Sequence, residues 1–235
     1  MPETAKTADQ ALQVLEHVAA SGPQPVAALA RDLKMHRTVA HRLLATLHQR
    51  GFLRRVPGGY APGFALLRVA QRVEPELLAA ARPVLSQLAR EHGETFILTA
   101  ADGDDAVQIE QAVGSEHFVR VQLARGFRHS LALGASGRAI LAYLPAAAVE
   151  GVVARAKEPR KLLAQLAEAR RLGYAESHDE LSHAVHGVSA PVLVRGEVIA
   201  SLGMVMPSVR AERAAEYGRL LKKAAAQLAR KLPQG

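Results

Sequence analysis

The sequence predicts an α+β protein in two parts, and three observations carry that prediction. Three short amphipathic helical stretches open the chain and lead into a basic β-hairpin. A proline-marked break near residue 75 separates them from the remainder. Beyond the break, strand-like and helix-like stretches mix without regular β-α-β alternation, which favours a mainly antiparallel sheet over a doubly wound nucleotide fold. The 235 residues, 49% of them hydrophobic, suffice for two modest packed domains.

Ala8 to Ala20 places Ala11, Leu12, Val14, Leu15 and Val18 on one helical face, and Ser21-Gly22-Pro23 ends the pattern. Val26 to Leu33 follows as a short helix packing through Ala27, Leu29, Ala30 and Leu33. After a break at Lys34-Met35, His36 to Arg50 forms a third helix whose Val39, Leu43, Leu44 and Leu47 face inward. Two short helices joined by a tight turn make a helix-turn-helix candidate. The third helix carries Arg37, Thr38, His41 and Arg42 in its first two turns, away from its apolar face. Arginine can donate two hydrogen bonds to guanine, threonine can meet a phosphate or a thymine methyl, and histidine can meet a base edge or a phosphate. Gly51 to Val56, Pro57-Gly58-Gly59 and Tyr60-Ala61-Pro62 then read as strand, turn and strand, a wing with Arg54 and Arg55 just before its tip. A β-ribbon there would reach the sugar-phosphate backbone.

Charge supports this reading. Residues 1–75 hold 10 Lys/Arg against 5 Asp/Glu, residues 76–206 hold 13 against 15, and residues 207–235 hold 7 against 2. The excess of +8 therefore sits at the two ends, and a basic N-terminal segment suits phosphate contact.

Phe64 to Val73 is apolar on one face and predicts a linker helix, interrupted at Glu74-Pro75-Glu76 because proline disfavours helix in the residue before it. Leu77 to Glu91 is a second amphipathic helix. Thr95 to Ala101, Ala106 to Val113 and Phe118 to Leu123 predict strands, the first two joined at Asp102-Gly103-Asp104-Asp105. Ala135 to Leu144 predicts a helix entered from a Gly134 turn, and Arg160 to Leu172 another, stopped by Gly173. Val185 to Val194 and Val198 to Met206 form a hairpin about Arg195-Gly196-Glu197, and a basic helix from Arg210 to Leu232 closes the chain.

The chain resembles the IclR family of bacterial transcriptional regulators. The resemblance rests on Ala11-Leu12-Gln13-Val14-Leu15, Leu29-Ala30-Arg31-Asp32-Leu33, Thr38-Val39-Ala40-His41-Arg42-Leu43-Leu44, Gly51-Phe52-Leu53 and Gly63-Phe64-Ala65-Leu66-Leu67. It continues in Ala81-Arg82-Pro83-Val84-Leu85, Gly137-Arg138-Ala139, Arg170-Arg171-Leu172-Gly173-Tyr174 and Ser189-Ala190-Pro191-Val192, so it covers nearly the whole chain. At the start of the third helix His36 stands where many members have proline. The resemblance implies a winged helix-turn-helix over residues 1–63, a linker helix over 64–76, and a GAF-like effector-binding and oligomerisation domain over 77–235. It further implies operator DNA and a small effector, often an organic or aromatic acid, as partners, with assembly as homodimers or dimers of dimers. An alternative is a DNA-binding protein whose C-terminal domain only oligomerises.

Leu133-Gly134-Ala135-Ser136 leads into a helix N-terminus, whose free N–H groups and dipole favour a carboxylate, although a tight turn with a capping serine needs the same residues. Matching motifs imply a pocket closed by Asp179, by Gly187, Val188 and Ser189 on one strand, and by Gly203 and Val205 on the next, with Phe127 and Leu131 at its mouth. Ser201-Leu202-Gly203-Met204-Val205 carries few hydroxyls toward that pocket, which predicts a less polar or larger ligand.

Other chemistries find little footing. There are no cysteines, which removes disulfides and thiolate chemistry. His178, Asp179, Glu180, His183 and His186 are the densest ligand-capable cluster, but their spacing matches no compact zinc motif, so surface histidines are expected there and no metal or cofactor. Gly134-Ala135-Ser136-Gly137 has Arg138 where a hydrolase nucleophile motif needs glycine, and no phosphate loop appears, so no catalysis is expected. No apolar run reaches the roughly 18 residues of a membrane helix, and residues 1–10 lack a signal-peptide core, which predicts a cytoplasmic protein without membrane contact.

Overall fold

The computed structural model describes residues 5–233, and the chain divides into two compact units, Met1–Pro75 and Glu76–Gly235.

The first unit contains α1 (Lys6–Ser21), α2 (Val26–Asp32), α3 (Arg37–Gln49), the hairpin β1 (Leu53–Val56) and β2 (Gly59–Pro62), and α4 (Ala65–Ala70). Gly22, at φ +74°, ends α1, and Lys34, at φ +51°, makes the turn between α2 and α3, where Met35 N–H donates to Ala30 O at 2.9 Å. The core joins Val14 and Val18 of α1, Leu29 and Ala30 of α2, and Ala40, Leu43, Leu44 and Leu47 of α3 to Leu53 and Tyr60 of the hairpin. Leu12 and Ala27 were expected in this core but are exposed. Each lies two residues before the centre of its helix's buried stripe, about 200° around the axis.

In the hairpin Val56 pairs with Gly59, and Pro57 followed by Gly58 at φ +89° is the residue order of a type II turn. Gly59 is required: at φ +150°, a Cβ there would fall 2.1 Å from Gln24 O. The linker helix is shorter than Phe64 to Val73, because none of its residues is buried and only single-turn bonds continue the coil to Val73. The next helix opens at Pro75, ahead of the expected Leu77, since proline's missing N–H costs nothing in a first turn.

The second unit holds α5 (Pro75–His92), β3 (Thr95–Asp102), β4 (Asp105–Ala112), β5 (Arg128–Ser130), α6 (Gly134–Leu141), α7 (Ala146–Ala154), α8 (Pro159–Leu172), β6 (Ala175–His178), β7 (Val185–Val194), β8 (Glu197–Pro207), a 3-10 turn (Ser208–Arg213) and α9 (Ala214–Arg230). Its six strands run in the order β5-β4-β3-β8-β7-β6, every neighbour antiparallel. Phe96 and Leu98, Val188 and Ala190, and Leu202 and Met204 pack with α5 and α9. Side chains alternate across a sheet, so Ile97, Thr99, Gly187 and Ser189 belong to the opposite face, where α6 lies. Ser201 Oγ there donates to Ser136 O at 3.1 Å. Behind α6, Leu131, Ile140, Leu141, Leu162 and Leu166 form a second core with α7 and α8.

One predicted strand is absent. Phe118 to Leu123 alternates correctly but has no strand beside it among the described residues, and Phe118 and Val119 are exposed. The three-residue β5 takes the sheet edge against β4 instead. Two short strands, β5 and β6, and the helix α7 went unassigned in the sequence. The Ala/Val composition of α7 gives no polar face to set a period, and only Val149 and Val152 are buried.

Candidate functional site

Two surfaces gather the residues singled out above. The first belongs to the N-terminal unit. With Ala40, Leu43, Leu44 and Leu47 buried, the remaining face of α3 presents Arg37, Thr38, His41 and Arg42, all exposed. His36 is extended, at φ −62° and ψ 136°, and starts α3 without a side-chain cap. Arg54 and Arg55 are exposed on β1; Arg54 stacks over Phe64 with its guanidinium carbon 5.6 Å from the ring centroid, and Arg55 over Tyr60 at 5.9 Å. These stacks orient the guanidiniums without neutralising them. Among the described residues none of Arg37, Arg42, Arg54 and Arg55 has a carboxylate partner. A helix face and a ribbon of unpaired cations suit a polyanion with a groove.

The second surface is a cavity of about 30 Å³ between α6 and the sheet of the C-terminal unit. Seven expected residues line it: Phe127, Ala135, Ser136, Gly187, Val188, Ser189 and Val205. Five do not. Leu131 is wholly buried in the core behind α6. Leu133 is 45% exposed on the outer side. Gly203 faces Ser189, where a Cβ would meet Oγ at 2.7 Å. Asp179 sits outside, accepting from Ser208 Oγ at 3.3 Å.

Gly134 is the most instructive of the five. Its N–H donates to Glu180 Oε2 at 3.0 Å, so the outermost anion position of this helix end is filled by the chain's own carboxylate. Arg138, 2% exposed, donates to both Glu180 oxygens at 2.5 and 2.8 Å and to Glu176 O at 2.6 Å. Burial pushes the Glu180 carboxyl up, but the hydrogen bonds and charge of Arg138 outweigh it and hold the group below its usual range. An external anion is left the next N–H groups, those of Ala135 and Ser136, both on the cavity wall. Ser136 does not cap the helix.

The cavity also contains residues the sequence did not nominate: Thr99, Gln108, Leu123, His129, Ser177, Leu181 and Ser182 among them. Its hydroxyls come from Thr99, Ser136, Ser177, Ser182 and Ser189, which corrects the expectation of a hydroxyl-poor pocket. Ser201, the one hydroxyl of the Ser201–Val205 stretch, does not line the cavity and donates to Ser136 O. His129 Nδ1 lies 3.1 Å from Ser130 O, which can only accept, so Nδ1 carries the proton and Ser136 Oγ donates to Nε2 at 3.2 Å. Burial, the largest influence on this imidazole, lowers its pKa, so the ring is neutral at pH 7. No Lys, Arg, Asp or Glu lines the cavity among the described residues. Thr99 Oγ1, Gln108 Oε1 and Ser189 Oγ are buried without hydrogen-bond partners among the described residues. Thr99 was legible in principle as a polar residue within a mainly apolar strand, but Gln108 is one of four polar residues on β4, and the placement of the two opposite one another depends on register.

His178 and His186 are cross-strand partners with Nδ1 atoms 3.3 Å apart. His183 does not join them, and among the described residues no three ligating side chains come together. No described helix is long and apolar enough to cross a membrane.

Known proteins give these surfaces a context. Residues 7–57 match the IclR helix-turn-helix domain, and residues 70–230 match the bacterial transcriptional regulator IclR C-terminal domain. The chain is 30% identical over 215 residues to the HTH-type transcriptional regulator KipR of Bacillus subtilis, covering 84% of this chain and 85% of that one. It is 28% identical over 237 residues to the transcriptional repressor IclR of Escherichia coli, covering 92% and 86%. Among solved structures, an IclR homolog from Microbacterium hydrocarbonoxydans complexed with 4-hydroxybenzoate superposes with a TM-score of 0.84 at 22% identity, over 96% of this chain and 98% of that one. The two matched models together span nearly all of the chain, and with the exposed cationic helix and wing they define it: this protein is a member of the IclR family of DNA-binding transcriptional regulators, not an enzyme.

Proposed function

We propose that Arg37, Thr38, His41 and Arg42 read operator bases while Arg54 and Arg55 hold the flanking backbone, and that the cavity beside α6 binds a small organic acid that changes operator affinity. The observation that carries the reading is the set of unpaired cations on the exposed face of α3 and on the adjoining wing strand. Division of labour follows the chain: residues 1–63 bind DNA, 64–76 link, and 77–235 sense and oligomerise, in the cytoplasm where the DNA is.

The cavity supports the effector reading through its buried, unpartnered polar atoms and the N–H groups of Ala135 and Ser136. At about 30 Å³ it holds little more than a water or two. Admission of an acid therefore displaces Phe127 and Leu123 on one loop or Leu181 and Ser182 on another. The first loop has a route outward. Arg125 pairs with buried Glu110, which also accepts from Arg82 Nε of α5 at 2.8 Å. Burial raises the Glu110 carboxyl, but its arginine partners more than offset this and keep it ionised. A shift of Arg125 thus reaches α5, whose first turn overlaps the end of the linker segment.

Phe64, Leu67, Val69 and Val73 of the linker segment are all at least half exposed. A second copy of the chain covering part of this apolar surface would pair two recognition helices for a palindromic operator. Fluorescence anisotropy with DNA flanking the gene, repeated with 4-hydroxybenzoate and related acids, tests the reading. Operator affinity indifferent to every acid favours a C-terminal domain that only oligomerises.

A further inference from the structure

One corner of the cavity asks for a particular functional group. Thr99 of β3 and Gln108 of β4 are cross-strand partners, 1% and 2% exposed, and both line the cavity. Among the described residues Thr99 Oγ1 and Gln108 Oε1 have no hydrogen-bond partner. The Gln108 amide cannot satisfy itself by turning over. Its Nε2 donates to Leu123 O at 2.9 Å and points at Gln111 Oε1 at 3.4 Å, so a flip would set Oε1 against two acceptors. Gln108 Oε1 only accepts, whereas the threonine hydroxyl gives and takes a proton. Directly opposed residues hold their Cβ atoms about 5 Å apart, close enough for one ligand atom to address both.

We infer that the Thr99–Gln108 corner is a hydroxyl-recognition subsite: an uncharged ligand O–H donates to Gln108 Oε1 and accepts from the Thr99 hydroxyl. A carboxylate or ketone oxygen has no proton to give and would oppose the lone pairs of Oε1. An ammonium would enter a cavity without a counter-charge among its lining residues. The inference rests on the cavity being the effector site. It adds that the effector is a hydroxylated compound whose O–H is read separately from any carboxylate at α6.

Isothermal titration of the full chain with matched pairs tests this: 4-hydroxybenzoate against benzoate, 4-hydroxyphenylacetate against phenylacetate, and 3-hydroxybutyrate against butyrate. The hydroxylated member of at least one pair should bind about 10-fold tighter or better, because a site left with an unpaired polar group rejects the analogue that lacks the partner. Gln108→Met and, independently, Thr99→Val should bring that ratio toward one. Loosening of the loop at Leu123 would move both members of a pair together and leave the ratio alone. Parity within pairs that still bind overturns the subsite while leaving the cavity as the effector site. A preference untouched by both variants overturns it as well, and no binding by any of the six compounds overturns subsite and effector reading together.

Discussion

Glu180→Ala removes the partner of a guanidinium that has nowhere else to go. Arg138 is 2% exposed and gives Glu180 two charge-assisted hydrogen bonds, and Gly134 N–H gives a third. Deleting one member of a buried ion pair costs about 3–5 kcal/mol. Glu180 itself is 24% exposed, so water can reach part of the vacated space, and the lower end, about 3 kcal/mol, is expected. In a chain of this size that lowers the melting temperature by about 6–12 °C. Glu180→Gln keeps an acceptor and loses the charge, and should cost about half as much. The sign of the pH dependence follows from the depressed carboxyl. Its stabilisation is present above the unfolded-state pKa and is lost as pH falls through the folded value. The wild type should therefore lose its margin over Glu180→Ala in acid below about pH 4.5. Urea denaturation at pH 7 and pH 4 measures both. A Glu180→Ala protein within about 0.5 kcal/mol of wild type at pH 7 would refute the argument that this pair seats the helix end.

Three further outcomes are expected. Arg54→Ala and Arg55→Ala should each weaken DNA binding equally for operator and random duplexes, and reduce the slope of log K against log salt by about 0.9 for each phosphate no longer neutralised; anisotropy titrations across a salt series check this. Glu110→Gln should leave effector affinity near that of wild type but shrink the effector's influence on DNA by roughly 0.5–2 kcal/mol, the size of coupling changes along such relays; titrating operator with and without saturating acid reads it. Leu67→Asp in the exposed linker segment should shift the sedimentation coefficient toward that of a single copy and abolish tight binding to a two-half-site operator, with half-site binding retained.

Local signals were legible and tertiary ones were not. Val14, Val18, Leu43, Leu44 and Leu47 fix their helices by period, and Gly173 at φ +77° stops α8 where glycine should. Arg195 and Gly196, both with positive φ, close the β7–β8 hairpin at the expected place. The failures share a cause. Phe118 to Leu123 has strand alternation, but a strand exists only when a neighbour pairs with it, and among the described residues none does. Gly134 reads as an anion seat, but the anion is Glu180, 46 residues away. Leu131 and Phe127 look interchangeable at a pocket mouth, yet they flank β5 at opposite ends, Leu131 packed in the core behind α6 and Phe127 on the cavity wall. Thr99 and Gln108 become a pair only through a register that shifts between Leu98 and Thr99.

The proposed operator recognition rests on α3 as the element that reads DNA sequence. Its most direct test is the affinity of Arg37→Ala and Arg42→Ala proteins for the operator and for scrambled DNA of equal length. If either arginine makes a bidentate base contact, its loss should weaken operator binding by about 1–3 kcal/mol and narrow the gap between operator and scrambled DNA. Variants that bind both duplexes as the wild type does would contradict the assignment of this helix face to the major groove.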